Sequence, residues 1–364
     1  MPEIMTVKGP ITPDKLGLTS MHEHILCDGR FYRRRNMHLL PPEDQLMTRP
    51  DDQVTLENRI YLKHCFYSSW DGTSMKDEEV ITAEMTDFKA SGGSAMVDMT
   101  VPGHRCDISG TKRISDKTGV HVITSTGLYT EDSWPDQFKT MSVKEYEEYM
   151  LSEIENGIED TEIRAGHIKV AFEKAPTEQE VKLLKAAVRV SNETGMLTTI
   201  HKGTLMTADD VRQMIKVLFD QGMNPERTVI CHMQDFLVPW DLKTLVQDPL
   251  SWRLNLDFNK ELLDQGFNAS HDCLGHDYDF ELNGYINQTD WQRMAGIYAL
   301  CCEGYSSQIV LGTDTFIIIL TRRFGGEGYC RLTKGIIPML RMAELPEEQI
   351  RQMTVENPAR LLAR

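Results

Sequence analysis

Apolar residues along this chain follow two alternating rhythms. Short apolar runs of strand length recur between longer stretches whose apolar positions repeat every three or four residues, the periods of a buried strand and an amphipathic helix. Residues 17–24 open the series as a strand. Residues 78–90 read as a helix ended by Gly92 and Gly93, 94–99 as a strand, 108–118 as a helix stopped by Gly119, and 120–125 as a strand. A helix over 142–156 and a strand over 165–170 follow. Residues 177–194 form a strong helix, with Thr177 and Glu180 matching a capping box and Gly195 at its end. The strands 196–201 and 228–232 flank a helix at 208–221; a weaker strand at 267–272, a helix at 291–303 and a last strand at 308–314 complete the rhythm. The tail predicts helices at 328–342 and 347–353, then Asn357-Pro358 as an N-cap and N1 pair opening a short final helix.

Two stretches break the pattern. Residues 28–77 are a long polar and aromatic segment directly after the first strand, a placement that predicts a lid over an active site. Residues 235–257, with two prolines and two tryptophans, predict an inserted loop or helix pair.

Eight strands alternating with helices are the mark of parallel βαβ units. A single-domain (β/α)8 TIM barrel over residues 1–364, with a long loop after strand 1 and an insertion after strand 6, fits better than an open sheet. His22 and His24, Lys169, His201, His232 and Asp314 all lie at C-terminal strand ends, the rim on which barrel active sites are built. An open nucleotide-binding sheet would instead carry a Gly-rich phosphate turn, and no G-x-G-x-x-G follows the first strand.

His22 and His24 are two apart, so in a strand their imidazoles project to one side and Glu23 to the other. The pair reads either as half of a metal site, with nitrogens about 2.0–2.1 Å from a divalent ion, or as a chance His-x-His on a loop. Each strand-end histidine alone reads as a hydrogen-bonded structural residue, and an aspartate there as a turn or cap. Together on one rim they point to a shared centre.

The formal charge of −16, from 55 acidic and 39 basic residues, repels phosphate backbones and anionic membranes, so neither nucleic acid nor membrane is an expected partner. Arg33, Arg34, Arg35 and His38 form a local basic cluster that reads as solvated loop charge, with an anion-binding role as the other option. The N-terminus lacks the apolar core of a signal peptide and the longest aliphatic run, 316–320, is too short to span a bilayer, which predicts a cytoplasmic protein. Eight cysteines contain no Cys-x-x-Cys, and Cys301 and Cys302 are adjacent, so buried thiols are expected rather than disulfides or a cysteine zinc knot.

Over essentially its whole length the chain resembles the phosphotriesterase-like family of the amidohydrolase superfamily. The resemblance is carried by Gly17-Leu18-Thr19-Ser20-Met21-His22-Glu23-His24, Val97-Asp98-Met99-Thr100-Val101-Pro102-Gly103, Ser125-Thr126-Gly127-Leu128-Tyr129, Gly166-His167-Ile168-Lys169-Val170, Thr199-Ile200-His201, Ile230-Cys231-His232, Leu311-Gly312-Thr313-Asp314 and Val355-Glu356-Asn357-Pro358-Ala359-Arg360. It implies that His22, His24 and Asp314 hold one divalent ion and His201 and His232 the other, with Lys169, carbamylated by CO2, bridging them. Zinc is the expected ion, and manganese, cobalt or iron suit the same donors. Two such ions generate hydroxide near neutral pH and polarise the scissile group, and Asp314 would take the proton and pass it to the leaving group.

The resemblance carries other positions more loosely. Asp235 and Asp272 match acids that relay a proton outward, or else cap helices and turns. Tyr129, Cys273 and His276 are candidates for the substrate pocket. Cys273 stands where the family often has a basic residue, and Glu327 where histidine is frequent. The activity expected is hydrolysis of a carboxylic ester, a lactone first, with a phosphotriester or an N-acyl amide as alternatives on the same centre. A non-catalytic binding scaffold would be marked by lost ligands, and all six are present. A small-molecule substrate and a homodimer are the expected partners.

Overall fold

A computed structural model of the chain describes residues 2–204, 206–278 and 284–364. Eight parallel strands form one sheet in which neighbours in the sequence are neighbours in space: β1 (Thr19–Glu23), β2 (Ala95–Asp98), β3 (His121–Gly127), β4 (His167–Phe172), β5 (Thr198–Lys202), β6 (Thr228–Ile230), β7 (Asn268–His271) and β8 (Ile309–Leu311). The sheet curls until its last strand meets its first, where the Asp314 amide donates to the His22 carbonyl at 2.8 Å. Gly312 makes this seam possible. A Cβ there would lie 2.8 Å from the His22 backbone nitrogen and 2.9 Å from its carbonyl oxygen, closer than real side chains approach.

The crossover helices follow the predicted pattern closely. Glu78–Ala90 and Ile108–Thr118 have the predicted bounds, and Val143–Glu155, Glu178–Thr194, Ala208–Asp220 and Asp290–Cys302 lie within one residue of theirs. Thr177 and Glu180 make the predicted reciprocal capping box, and Gly195 closes that helix at φ 69°, a left-handed turn that costs glycine nothing. An antiparallel hairpin of Ile4–Thr6 and Gly9–Ile11, unforeseen in the sequence, covers the N-terminal end of the barrel. There Ile4 and Leu16 join Val97, Ile123, Val229, Val310, Leu361 and Leu362 in one apolar cluster.

The tail departs from expectation. Residues 331–336 and 352–356 are wound as wider π-turns, so the chain enters Asn357–Leu362 already helical. Asn357 is therefore not an N-cap. Its buried side-chain amide instead donates to the carbonyls of Ser306 and Ile309, both at 2.8 Å.

The segment 28–77 is pinned at its base, where Cys27–Asp28 pairs with Ser74–Met75, and carries the short helices Arg30–Asn36 and Arg59–His64. Its basic cluster corrects the solvated reading. Arg33 is buried and donates to the Tyr67 carbonyl at 2.8 Å. Arg35 reaches Glu173 at 2.8 Å and also binds Asp132, tying this segment to the ends of β3 and β4. Arg34 and His38 are exposed. The insertion after β6 contains the helix Leu242–Gln247 and leads into Asp257–Asp264. Among the described residues, no helix is long and apolar enough to cross a membrane.

Candidate metal centre

Three consecutive strands end in a left-handed residue that is not glycine. His232 has φ 58°, Cys273 φ 58° and Asp314 φ 49°. Such backbone costs of order 1–3 kcal/mol per residue and persists only where the surroundings enforce it. Each of these turns brings a side chain to the rim. Opposite them, Gly127 at the end of β3 has φ 105° and lies against β4 so closely that a Cβ would sit 2.1 Å from the Lys169 carbonyl oxygen.

The predicted ligands fall into two groups. His22 Nε2 and His24 Nε2 lie 3.3 and 3.4 Å from Asp314 Oδ1. His201 Nδ1 lies 2.7 Å from His232 Nε2. Lys169 is buried between β3 and β5, its Nζ 3.9 Å from Cys231 Sγ, and no described carboxylate lies within 4 Å of it.

The outer nitrogens of the four histidines decide what the inner ones can do. His22 Nδ1 donates to Asp272 Oδ2 at 2.8 Å, and His232 Nδ1 to Asp272 Oδ1 at 2.6 Å. His24 Nδ1 faces Thr100 Oγ1 at 3.1 Å; that hydroxyl gives its own hydrogen to Asp98 and so accepts here. His201 Nε2 lies 3.0 Å from the Tyr129 hydroxyl, which also receives the Tyr32 hydroxyl at 3.3 Å. With each outer nitrogen protonated, each inner one presents a lone pair. Two lone pairs 2.7 Å apart, as between His201 and His232, repel unless a proton or a cation lies between them. The donor set therefore fits divalent ions.

The charges agree with that use. Burial, assisted by Lys169 and opposed by Asp314, lowers His22 to about 4. Burial, His232 and Lys169 hold His201 well below 6.5. Burial raises the carboxyl of Asp272, but His232 and His22 more than offset it and keep it ionised; Asp314 is likewise held below the usual carboxylate range by His22 and His24. His22 and His201 thus stay neutral imidazoles beside an ionised carboxylate, the forms a metal accepts, whereas His232, which burial alone would lower, is raised above 6.5 by Asp272.

Other candidate residues have found different partners. The Asp235 carboxylate forms a buried ion pair with Lys202, a residue that no sequence pattern singles out because its partner follows the next strand. Asp272 lies behind His22 and His232 and is further held by Gln234 Nε2 at 3.1 Å. Cys273 Sγ lies 3.5 Å from both Asp272 Oδ1 and Asp314 Oδ2. Tyr129 and Cys273 line the cavity above the centre, whereas His276 is buried off that lining, with its Nε2 donating to the Asp314 carbonyl at 2.9 Å. Glu23, between His22 and His24 at the end of β1, is buried and bonded to the residues flanking Asp314. Burial raises it to about 7 although several donors favour its charge.

The cavity over the centre measures roughly 480 Å³. On the β7 and β8 side its wall is aromatic: Tyr32, Phe66, Tyr278 and Phe316 pack together, with the Phe316 ring 5.4 Å from Tyr32 and 5.8 Å from Phe66. On the β4 side it is lined by Arg35, Glu173 and Lys174. Glu173 neutralises Arg35, while Lys174 has no carboxylate within 4 Å among the described residues.

A (β/α)8 barrel with histidines, a lysine and an aspartate converging on its C-terminal rim defines a metal-dependent hydrolase. The chain belongs to the phosphotriesterase family, whose profile matches residues 2–362. It is 30% identical over 359 residues to a phosphotriesterase-related protein of Nematostella vectensis, spanning 97% of this chain and 96% of the other. The N-acetyltaurine hydrolase of Homo sapiens is 27% identical over 364 residues, 99% of this chain and 97% of that one. Among solved structures, a resiniferatoxin-binding protein from Rhodobacter sphaeroides matches with a TM-score of 0.86 at 27% identity, covering 99% of this chain and 94% of its own.

Proposed function

We propose that this enzyme hydrolyses an acyl bond, and that its substrate is an N-acyl amide whose amine portion carries an anionic group. The observation that carries this reading is the uncompensated Lys174 at the β4 side of a cavity whose opposite wall is aromatic. Lys174 is an exposed lysine on the cavity lining, and a cation there offers an anionic substrate group a charge-assisted contact. The relatives named N-acetyltaurine hydrolases support the same class of substrate.

His22, His24 and Asp314 would hold one divalent ion, zinc in this reading, and His201 and His232 the other. Lys169 would join them as a carbamate, which turns a buried, unpaired ammonium into a two-oxygen anion. Two such ions supply a nucleophilic water near neutral pH and an electrophile for the acyl oxygen. Asp272, Thr100 and Tyr129 keep the histidine lone pairs aimed inward. Asp314 Oδ2 takes the proton released as water adds to the acyl carbon and returns it to the leaving amine. The aromatic wall excludes bulk water from the acyl end.

A lactone, the substrate first expected from the sequence, would be opened by the same attack but gives Lys174 no task. A phosphotriester would use the centre and leave the cationic end unused. The test is turnover by metal-reconstituted protein, with chelated protein as control. The panel comprises N-acetyl amino acids and amino sulfonates, uncharged N-acetyl amines, lactones, linear esters and a chromogenic triester. The expected result is metal-dependent release of amine from the anionic amides, with Lys174→Ala raising KM at least 10-fold and changing kcat little. Equal turnover of charged and uncharged amides would remove the anion, and turnover of lactones alone would remove the amide.

A further inference from the structure

Glu23 touches none of the histidine nitrogens, yet it is fully buried at the seam between β1 and β8. Its carboxylate accepts from the Thr313 amide at 2.9 Å, from the Thr313 hydroxyl at 2.8 and 2.7 Å, from the Thr315 amide at 3.1 Å, and from Ser20 Oγ. These donors include the residue before Asp314 and the residue after it. Asp314 itself holds a left-handed φ of 49°, a conformation uncommon outside glycine and one that costs free energy unless the surroundings support it. The Thr313 and Thr315 hydroxyls, 2.8 Å apart, complete the bracket.

We infer that Glu23 is a positioning residue: by gripping Thr313 and Thr315 it locks Asp314 in the conformation that places Oδ1 before His22 and His24, and so sets the metal affinity of that group. The inference rests on the metal-binding reading of His22, His24 and Asp314. Geometry separates Glu23 from a general stabiliser, because all of its donors except Ser20 Oγ belong to the one turn that presents Asp314. A β1 without this carboxylate would leave two buried amides unpaired at the seam. The turn would then relax toward an ordinary extended or helical φ and withdraw Oδ1 from the histidines.

The test is Co2+ titration of chelator-stripped protein, followed by the visible absorption of the bound ion. Glu23→Gln puts an amide NH2 among donors that need an acceptor, and it is expected to weaken Co2+ binding 10- to 100-fold, the usual effect of losing a residue that orients a ligand, and to alter the spectrum. Thr313→Val is expected to move both in the same direction by less. In an Asp314→Asn background, Glu23→Gln should cost nothing further. Asn357→Ala, which disturbs β8 far from the rim, serves as the control for general destabilisation. Wild-type affinity and spectrum in Glu23→Gln would overturn the role, as would an equal loss in the Asp314→Asn background, or an equal loss in Asn357→Ala at matched Tm. If Glu23→Gln does not fold, Thr313→Val decides: unchanged binding overturns the role. Failure of the wild-type protein to bind Co2+ would overturn the metal reading itself.

Discussion

Lys202 and Asp235 form an ion pair in which both side chains are essentially excluded from solvent, one residue past His201 and three past His232. The Lys202 ammonium also lies 4.8 Å from the centre of the Phe236 ring. Removing one member strands a buried charge, which costs about 3–5 kcal/mol. Lys202→Met is therefore expected to lower unfolding free energy by about that much in denaturant titration. Lys202→Met with Asp235→Leu should recover much of the loss, and a double variant as unstable as the single one would deny the pairing its role.

Asp272 serves two histidines that come from strands on opposite sides of the β7 position, one oxygen to each. Asp272→Asn keeps the shape but offers an NH2 to one histidine, and forces that ring toward the wrong tautomer. Metal affinity is expected to fall about 10- to 100-fold, measured by competition with a coloured chelator. Unfolding temperature of the chelated protein should change much less.

The titration of the metal-free protein follows from the same histidines. In the unfolded chain they take a proton near pH 6.5, whereas in the folded protein burial delays His22 to about 4 and holds His201 well below 6.5. Below 6.5 the unfolded state binds protons that the folded state refuses, so stability falls as pH falls. His232 runs the other way. Burial opposes its charge, but Asp272 raises its pKa above 6.5, so its contribution is present at low pH and is lost as pH rises through the folded value. Urea unfolding of chelated protein from pH 7 to pH 5 should show the decline, and His201→Asn should flatten it by close to one proton.

Asn357 fastens the last helix to the start of β8 through two buried carbonyls. Asn357→Ala leaves both without a donor, at about 1–3 kcal/mol each. The expected outcome is a loss of several degrees in Tm by calorimetry, with metal stoichiometry intact.

What could be read ahead of the structure was local or periodic. The Thr177 and Glu180 capping box lies three residues apart on one turn, so the sequence contains the whole interaction. The rim histidines stand at the ends of apolar runs whose period already assigns them an end. Asn357 misled because a cap and a mid-helix asparagine look alike once the preceding turn is wound as a π-turn. Glu23 and Lys202 were out of reach for another reason. Their partners lie 290 and 33 residues away, and no periodicity encodes a seam or a neighbouring strand. Arg33 and Arg35 read as solvated because charge runs usually are, whereas here the backbone of 67–68 and the acids after β3 and β4 enclose them.

The seam also dictates an order of construction. His201 and His232 are contributed by adjoining strands in the middle of the chain, whereas His22 and His24 wait for Asp314 from the last strand. A chain leaving the ribosome has made the first histidines almost three hundred residues before their carboxylate exists. A metal bound by that group would therefore certify a finished circle: a product truncated before β8 lacks the Asp314 that completes the set.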